Sequence, residues 1–411
     1  MVSFCACAPG AESVKGTVVF KEVAAPQFPD EGRFELDQEE AAESSFLQSV
    51  NTFGFEAFSK IAGKSQENAF CSPLSLHMAL SMAAMGAEGN TQKEVFDTLR
   101  LDGKTKEYLG KQSKALFEQL YCKNKMSTLT LANSLWIDSQ YTAKEDYAKS
   151  MAENFYAALF SADFSDASTS KRMGEWIAKN TGGVLKPQIK IGPQDMLALI
   201  NTVFLKDEWI NLFDKEKTAK DAFHRADGSD VQCDFMHIDF ASHGAIRGDG
   251  YVSSYLNMKN AGSMWFVLPD EDTGAKALLA DPRVLAAAFD ESKTENVKVN
   301  FSIPKFSFGN SYDLIPALKS MGMKTAFESA DFSGISPDIA FISQVRQDAH
   351  IAIDEKGVEA AAFTEMMMAA GAAMPGDETV EMKLDRPFIF GITSRDGTLV
   401  FAGTVYDPSA K

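Results

Sequence analysis

Residues 355–376 read EKGVEAAAFTEMMMAAGAAMPG, and the pattern of this stretch decides how the rest of the chain is understood. Ordinary loops draw on Gly, Pro, Asn, Asp and Ser because those residues suit turns. Ordinary helices place an apolar residue every three or four positions. This stretch does neither cleanly. Read with period two it resolves: Val358, Ala360, Ala362, Thr364, Met366 and Met368 share one parity, and none is charged. The other parity holds Glu359, Ala361, Phe363, Glu365 and Met367, with Phe363 the poorer fit on a wet face. One uncharged face and one solvated face is how a half-buried strand is written. Residues 356–373 contain no proline, so nothing blocks ladder hydrogen bonds along them. An exposed segment with latent strand character is expected to have two states.

The surrounding chain is large enough to bury a substantial core. It has 411 residues, is 45% apolar and 24% charged, and carries 31 phenylalanines, a globular rather than a disordered composition. A net charge of −17 argues against nucleic acid or an anionic membrane as a general partner, since both repel such a surface. The lysines between Lys104 and Lys125 read as a solvated helix face rather than a polyanion site. Five scattered cysteines make no disulfide framework, so packing must supply the stability. No apolar run is long enough for a transmembrane segment. The opening MVSFCACAPGAES lacks the basic start and apolar stretch of an export signal; it fits the remnant of a trimmed export or lipid-attachment signal, with Cys5 or Cys7 as the anchor.

Residues 1–43 read as an N-terminal extension with an acidic cluster, Pro26 and Pro29 and a short strand at residues 17–21. From residue 44 the pattern is regular. Phe46, Val50, Phe53, Phe55, Ala57 and Phe58 recur at helical spacing up to Gly63. Ser72 followed by Pro73 is a helix start, because serine accepts from an orphan amide and proline at the first position loses nothing. That helix is expected to run to Gly86, and a further one to begin at Thr91. Residues 144–160 and 171–180 also read as helices. Residues 129–136 and the nearly continuous apolar run 197–205 read as strands, the second buried on both faces. Residues 263–268, 298–308 and 349–353 are further strands and 312–321 a helix, followed by a hairpin of 388–393 and 399–405 around Asp396–Gly397. Helices concentrate early and strands late, with no βαβ alternation. The expected architecture is one α+β domain from residue 44 to 411.

Catalytic signatures are missing from the sequence. There is no G-x-S-x-G, phosphate loop, dinucleotide fingerprint or H-E-x-x-H motif. Cys233, His237 and His243 lack a further ligand at comparable spacing, so no metal is expected. No cofactor is implied, and the chain does not read as an enzyme.

Five segments in order resemble the serpins: 68–95 (NAFCSPLSLHMALSMAAMGAEGNTQKEV), 197–218 (LALINTVFLKDEWINLFDKEKT), 303–336 (IPKFSFGNSYDLIPALKSMGMKTAFESADFSGIS), 352–364 (AIDEKGVEAAAFT) and 385–408 (DRPFIFGITSRDGTLVFAGTVYDP). The resemblance implies a single serpin domain of about nine helices and three β-sheets, with an exposed reactive-centre loop over residues 357–384. Inhibitory members are cut by a target serine protease at one bond of that loop. Its hinge side then enters the central sheet as a new strand and carries the acyl-linked protease along. The implied hinge is Glu355, Gly357, Val358, Glu359, Ala360, Ala361 and Ala362, whose small residues can slide between two strands. Val358 stands where relatives usually carry threonine or another small residue, and it is uncharged and β-favouring. Ser72, Ser75 and Asn201 match a polar cluster behind the sheet, with Gln347 in the usual histidine position and His350 three residues on. Trp209 matches an aromatic where insertion begins; a plain core tryptophan is the equal alternative.

Family spacing from Glu355 puts the cleaved bond at Gly371–Ala372, within a window of Met368, Ala369, Ala370, Gly371, Ala372, Ala373 and Met374. No lysine or arginine lies between Gly357 and Met382, so a trypsin-like pocket would keep its buried carboxylate unpaired. Small and medium apolar residues suit elastase-like enzymes, and methionine also fits chymotrypsin- or subtilisin-like pockets. If roughly fifteen residues join a sheet, each gaining about one net hydrogen bond worth ~0.5–1.5 kcal/mol, the gain exceeds ~8 kcal/mol, enough to distort a protease. The native protein would then be metastable, held by a kinetic barrier. The resemblance further implies a secreted or surface-attached monomer. Two other readings remain: a cysteine-protease inhibitor working the same way, and a non-inhibitory carrier or chaperone, against which the small hinge residues argue.

Overall fold

The computed structural model describes residues 1–6, 28–29, 31–34, 36, 40–125, 127–358 and 378–410. The strand expected at residues 17–21, the hinge residues Glu359, Ala360, Ala361 and Ala362, and the bait residues Met368, Ala369, Ala370, Gly371, Ala372, Ala373 and Met374 lie outside them. The elements begin β1 (Val2–Ala6), α1 (Ser44–Ala62), β2 (Ala69–Cys71), α2 (Pro73–Gly86), α3 (Gly89–Thr98), α4 (Lys106–Leu120), β3 (Cys122–Lys123), β4 (Thr128–Asp138) and α5 (Glu145–Phe155). They continue with β5 (Ala157–Ala162), α6 (Ala167–Asn180), β6 (Asp195–Glu208), β7 (Ala219–His224), β8 (Asp230–Gly248), β9 (Tyr251–Asn257), β10 (Ser263–Pro269), α7 (Gly274–Leu279) and α8 (Pro282–Ala288). The last are β11 (Glu295–Pro304), β12 (Phe306–Asp313), α9 (Ile315–Ser320), β13 (Ile339–Ile353), β14 (Gly357–Val358), β15 (Thr379–Lys383), β16 (Phe388–Thr393) and β17 (Leu399–Val405). The mixed α+β architecture is the one expected, with nine α-helices among the described residues.

The apolar run around Asn201 forms β6, buried on both faces over residues 196–202, at the middle of an eight-stranded sheet. Its hydrogen-bonded order is β1–β13–β14–β6–β4–β3, with β12 on β13 and β5 on β4. The other strands form one nine-stranded network, because the 19-residue β8 hands its edge from β7 near residue 230 to β9 near residue 248. Two of the three sheets implied by the resemblance are thus joined through a single long strand. Between the networks lies α2, packed on both β6 and β17. That position explains why α2 is apolar on almost every side: a helix enclosed by two sheets has no solvent face to keep polar. It starts as expected, with the Ser72 hydroxyl accepting from the Ser75 amide and Pro73 at the first helical position.

Four expectations are corrected. Residues 144–160 are not one helix: α5 ends at Phe155, Tyr156 turns left-handed, and Ala157 onward forms β5 beside β4. Residues 298–308 are not one strand: β11 ends at Pro304 and β12 starts at Phe306, and Lys305 between them turns its ammonium onto Glu355. Residues 312–321 are not one helix. Tyr312 and Asp313 stay in the ladder opposite Gln347 and Arg346, and α9 begins only at Ile315, with Pro316 in its first turn. The strand expected at residues 349–353 extends back to Ile339, because β12 and β1 together pair it over its full length. Within the stretch read as an extension, Val2–Ala6 adds a strand to the central sheet.

Candidate functional site: a slot in the central sheet

Gly357 and Val358 sit between β6 and β13. Val358 pairs with Asp207 on one side and Ile353 on the other, and is buried in the main core. A tight turn delivers them. The Asp354 amide donates to the Gly357 carbonyl at 3.1 Å, and Asp354 Oδ1 accepts from the Lys356 amide at 2.8 Å. Trp209 holds this turn at two points: its indole Nε1 donates to the Asp354 carbonyl at 3.0 Å, and its own amide donates to the Lys356 carbonyl at 2.9 Å. The residue is buried and bonded to the turn at both points.

Glu355 is turned inward. It accepts from Lys305 Nζ at 2.9 and 3.0 Å and from the Thr218 hydroxyl at 3.0 Å. Burial alone would raise the pKa of its carboxyl, but the Lys305 ammonium and the Thr218 hydroxyl outweigh that and hold it below the ordinary value. Gly357 has a second reason to be glycine besides freedom to pivot. A Cβ there would lie 2.1 Å from the Asp207 carbonyl oxygen, closer than any side chain tolerates. Asp207 in turn is buried and accepts from the backbone amides of Glu208, Asn260 and Ala261, which fixes this end of β6.

Past Val358 the ladder stops. Among the described residues, 200–206 of β6 have a partner only in β4, and 347–352 of β13 only in β12. The two strands are held apart, and a cavity between them is lined by Ser72, Ser75, Asn201, Gln347, His350 and Val358. All four residues of the expected polar cluster therefore meet at one place, but they do not form one network. Gln347 and Ser72 bond reciprocally: the Ser72 amide donates to Gln347 Oε1 at 2.9 Å, and Gln347 Nε2 donates to the Ser72 carbonyl at 2.8 Å. The Ser72 hydroxyl donates to the Val400 carbonyl at 2.8 Å, which ties the pair to the second network. Asn201 belongs to a separate chain. Its Nδ2 donates to Asn133 Oδ1 at 2.7 Å, and Asn133 Nδ2 donates to the Phe155 carbonyl at 2.6 Å.

His350 lies on the opposite face of β13 from Gln347 and is exposed, its nearest polar contact being the Ser307 hydroxyl at 3.4 Å. Asn201 Oδ1 and the Thr202 hydroxyl are buried beside the gap with no hydrogen-bond partner among the described residues. Such groups cost free energy until something supplies a bond. Asn133 and Lys305 were not singled out in the sequence. Asn133 carried the same signal as Asn201, an amide inside an apolar strand, whereas nothing local marked Lys305.

A family model described as "Serpin (serine protease inhibitor)" matches residues 48–408. An uncharacterized serpin-like protein of Thermococcus kodakarensis is 30% identical over 378 residues, covering 90% of this chain and 87% of its own. Alpha-1-antiproteinase 2 of Equus caballus is 28% identical, covering 91% of this chain and 89% of its own. Among solved structures, the thermophilic serpin tengpin in its native state superposes with a TM-score of 0.78 at 28% identity, over 91% of this chain and 96% of that one. The same thermophilic serpin in its latent state gives 0.75 at 27%, over 91% and 99%.

Two outcomes are expected at the hinge. Gly357→Ala should force β14 and β6 apart, destabilising the protein by about 1–3 kcal/mol in urea unfolding and speeding amide exchange at Val358; unchanged exchange would contradict the close approach. Glu355 has a folded-state pKa below its ordinary 4.5, so its contribution is present above that value and fades as pH falls through the lowered one. The gap in urea midpoint between the parent and Glu355→Gln should accordingly be widest near neutral pH and shrink toward pH ~3. A gap that ignores pH would show that the Lys305 pair does not stabilise the turn.

Proposed function

The chain belongs to the serpin family, and from that premise we propose that it traps elastase-like serine proteases covalently, by insertion of its own cleaved loop. Serpins are generally protease inhibitors and not enzymes. The observation that carries the finer reading is the hinge: Val358 is already paired on both sides, at the mouth of a gap where, among the described residues, the next positions of β6 and β13 have no partner on the facing side. Continued insertion repeats a contact that exists.

In this reading the protease serine attacks the carbonyl of the Gly371–Ala372 bond, the serine ester forms, and the amine of Ala372 leaves with a proton. The freed segment then zips antiparallel to β6 and β13, starting at Glu359. Trp209 and the Glu355–Lys305 pair anchor the fixed end, so that the pull is transmitted to the ester rather than lost in the turn. The Ser72–Gln347 pair closes the back of the slot, and Asn201, tied to Asn133, offers its free Oδ1 to the arriving strand. The stretch from Glu359 to Glu381 holds no cation, which directs the bait to pockets for small and medium apolar side chains. We take the protein to act as a monomer, outside the cell or at its surface; among the described residues no helix is long and apolar enough to cross a membrane.

Incubation with pancreatic elastase should give an SDS-stable band at the summed mass, and mass spectrometry of the released C-terminal peptide should place the cut between Met368 and Met374. Complexes with trypsin-like enzymes alone, or digestion with no complex at all, would count against the proposal. A complex with papain-like enzymes and none with elastase would transfer it to cysteine proteases.

A further inference from the structure

The slot is filled from both ends. At the hinge end it holds Val358; at the far end it holds β1, which pairs antiparallel with β6 (Val2 to Leu199, Ser3 to Ala198, Phe4 to Leu197) and with β13 (Val2 to Val345, Ser3 to Gln344). The Arg346 amide donates to the Met1 carbonyl at 2.7 Å, which continues that ladder toward the gap. Val2 is fully buried and belongs to the same core cluster as Val358. We infer that the far half of the slot is a strand-binding site whose occupant in the native protein is the chain's own segment Val2–Ala6, and that this segment competes with the reactive loop for it.

Register supports the competition, which rests on the insertion reading above. Val358 is opposite Asp207 and Ile353. Eight residues further along an antiparallel ladder, Met366 falls opposite Leu199 and Val345. Those are the two partners of Val2, reached independently from β6 and from β13. Eight is an even step, so Met366 would also face the core as Val2 does. The runs Val2–Ala6 (VSFCA) and 366–370 (MMMAA) are both uncharged and free of proline, so either can make every ladder bond on both sides. Both run antiparallel to β6 and β13, and two strands cannot share one track. A loop that inserts past Glu365 must therefore expel β1, and a bound β1 holds the native state against premature insertion.

Peptide-resolved hydrogen exchange on the full chain tests this, before and after the loop is cut between residues 370 and 377 by a trace of thermolysin, a metalloprotease that forms no acyl-enzyme for the loop to trap. The expected result is that the amides of Val2–Ala6 are protected at least about tenfold in the intact chain and lose that protection on cleavage, while residues 200–206 and 347–352 gain it. Unprotected Val2–Ala6 in the intact chain overturns the inference. So does protection that persists after residues 200–206 and 347–352 have become protected. No gain at 200–206 and 347–352 refutes loop insertion itself, and the competition with it. A second arm uses a synthetic peptide copying residues 357–368. It should anneal to Ser3→Pro/Cys5→Pro, whose prolines remove ladder donors from β1, at least about tenfold faster than to the parent. Equal rates would overturn the inference.

Discussion

The structure depends on two neighbouring strands, β6 and β13, that share no backbone ladder with each other among the described residues. In an ordinary sheet β6 and β13 would share a ladder along their length, since an unpaired row of buried backbone groups is costly. Here every ladder bond between them passes through a third segment, Val358 at one end or Val2–Ala6 at the other; the Ser343 hydroxyl crosses directly, donating to Asp195 Oδ1 at 2.9 Å at the far end. The stretch between is a cavity with two orphaned side-chain oxygens at its wall, on Asn201 and Thr202. A sheet in this condition has a lower free energy available to it. It needs only a strand of the right direction and parity, and we propose residues 358–368 for that role.

The neighbouring chemistry serves that gap. Trp209 and the Glu355–Lys305 pair hold the turn that precedes β14, and Gly357 allows the backbones of β14 and β6 to approach there; in the proposed insertion this is the point from which the new strand starts. The Ser72–Gln347 pair closes the slot from behind without bridging β6 to β13, so the pair can survive the arrival of a strand. Asn201 and Asn133 do the same work on the other side, joining β6 to β4 rather than to β13. The polar atoms around the cavity are thus arranged to hold the two halves of the sheet internally, and the one direct side-chain bridge given for β6 and β13, Ser343 to Asp195, lies at the far end beside β1.

Much of this was legible in the sequence, because the informative patterns were local. The Ser72–Pro73 helix start and the apolar run around Asn201 each follow from the chemistry of adjacent residues, whereas the parity read over 358–368 falls beyond Val358 on residues outside those described. What escaped were contacts between distant positions. Val2–Ala6 carries five uncharged residues with no turn signal to frame them, and only its partners, some 200 and 340 residues away, make it a strand. Lys305 looks like the middle of a strand until Glu355 is placed beside it. Tyr312 and Asp313 have the local look of a helix start, and the ladder with Gln347 and Arg346 overrides it. The bait residues, by contrast, were read from side-chain chemistry alone, which bears on pocket size and charge.

The central claim is that the native fold stores free energy in the unfilled line between β6 and β13. Thermal denaturation of the intact chain against the chain cut once within residues 359–377 measures this most directly. The account predicts a cut form that melts well above the intact one, by tens of degrees if roughly fifteen residues join the sheet. A cut form that melts at or below the intact midpoint would contradict it.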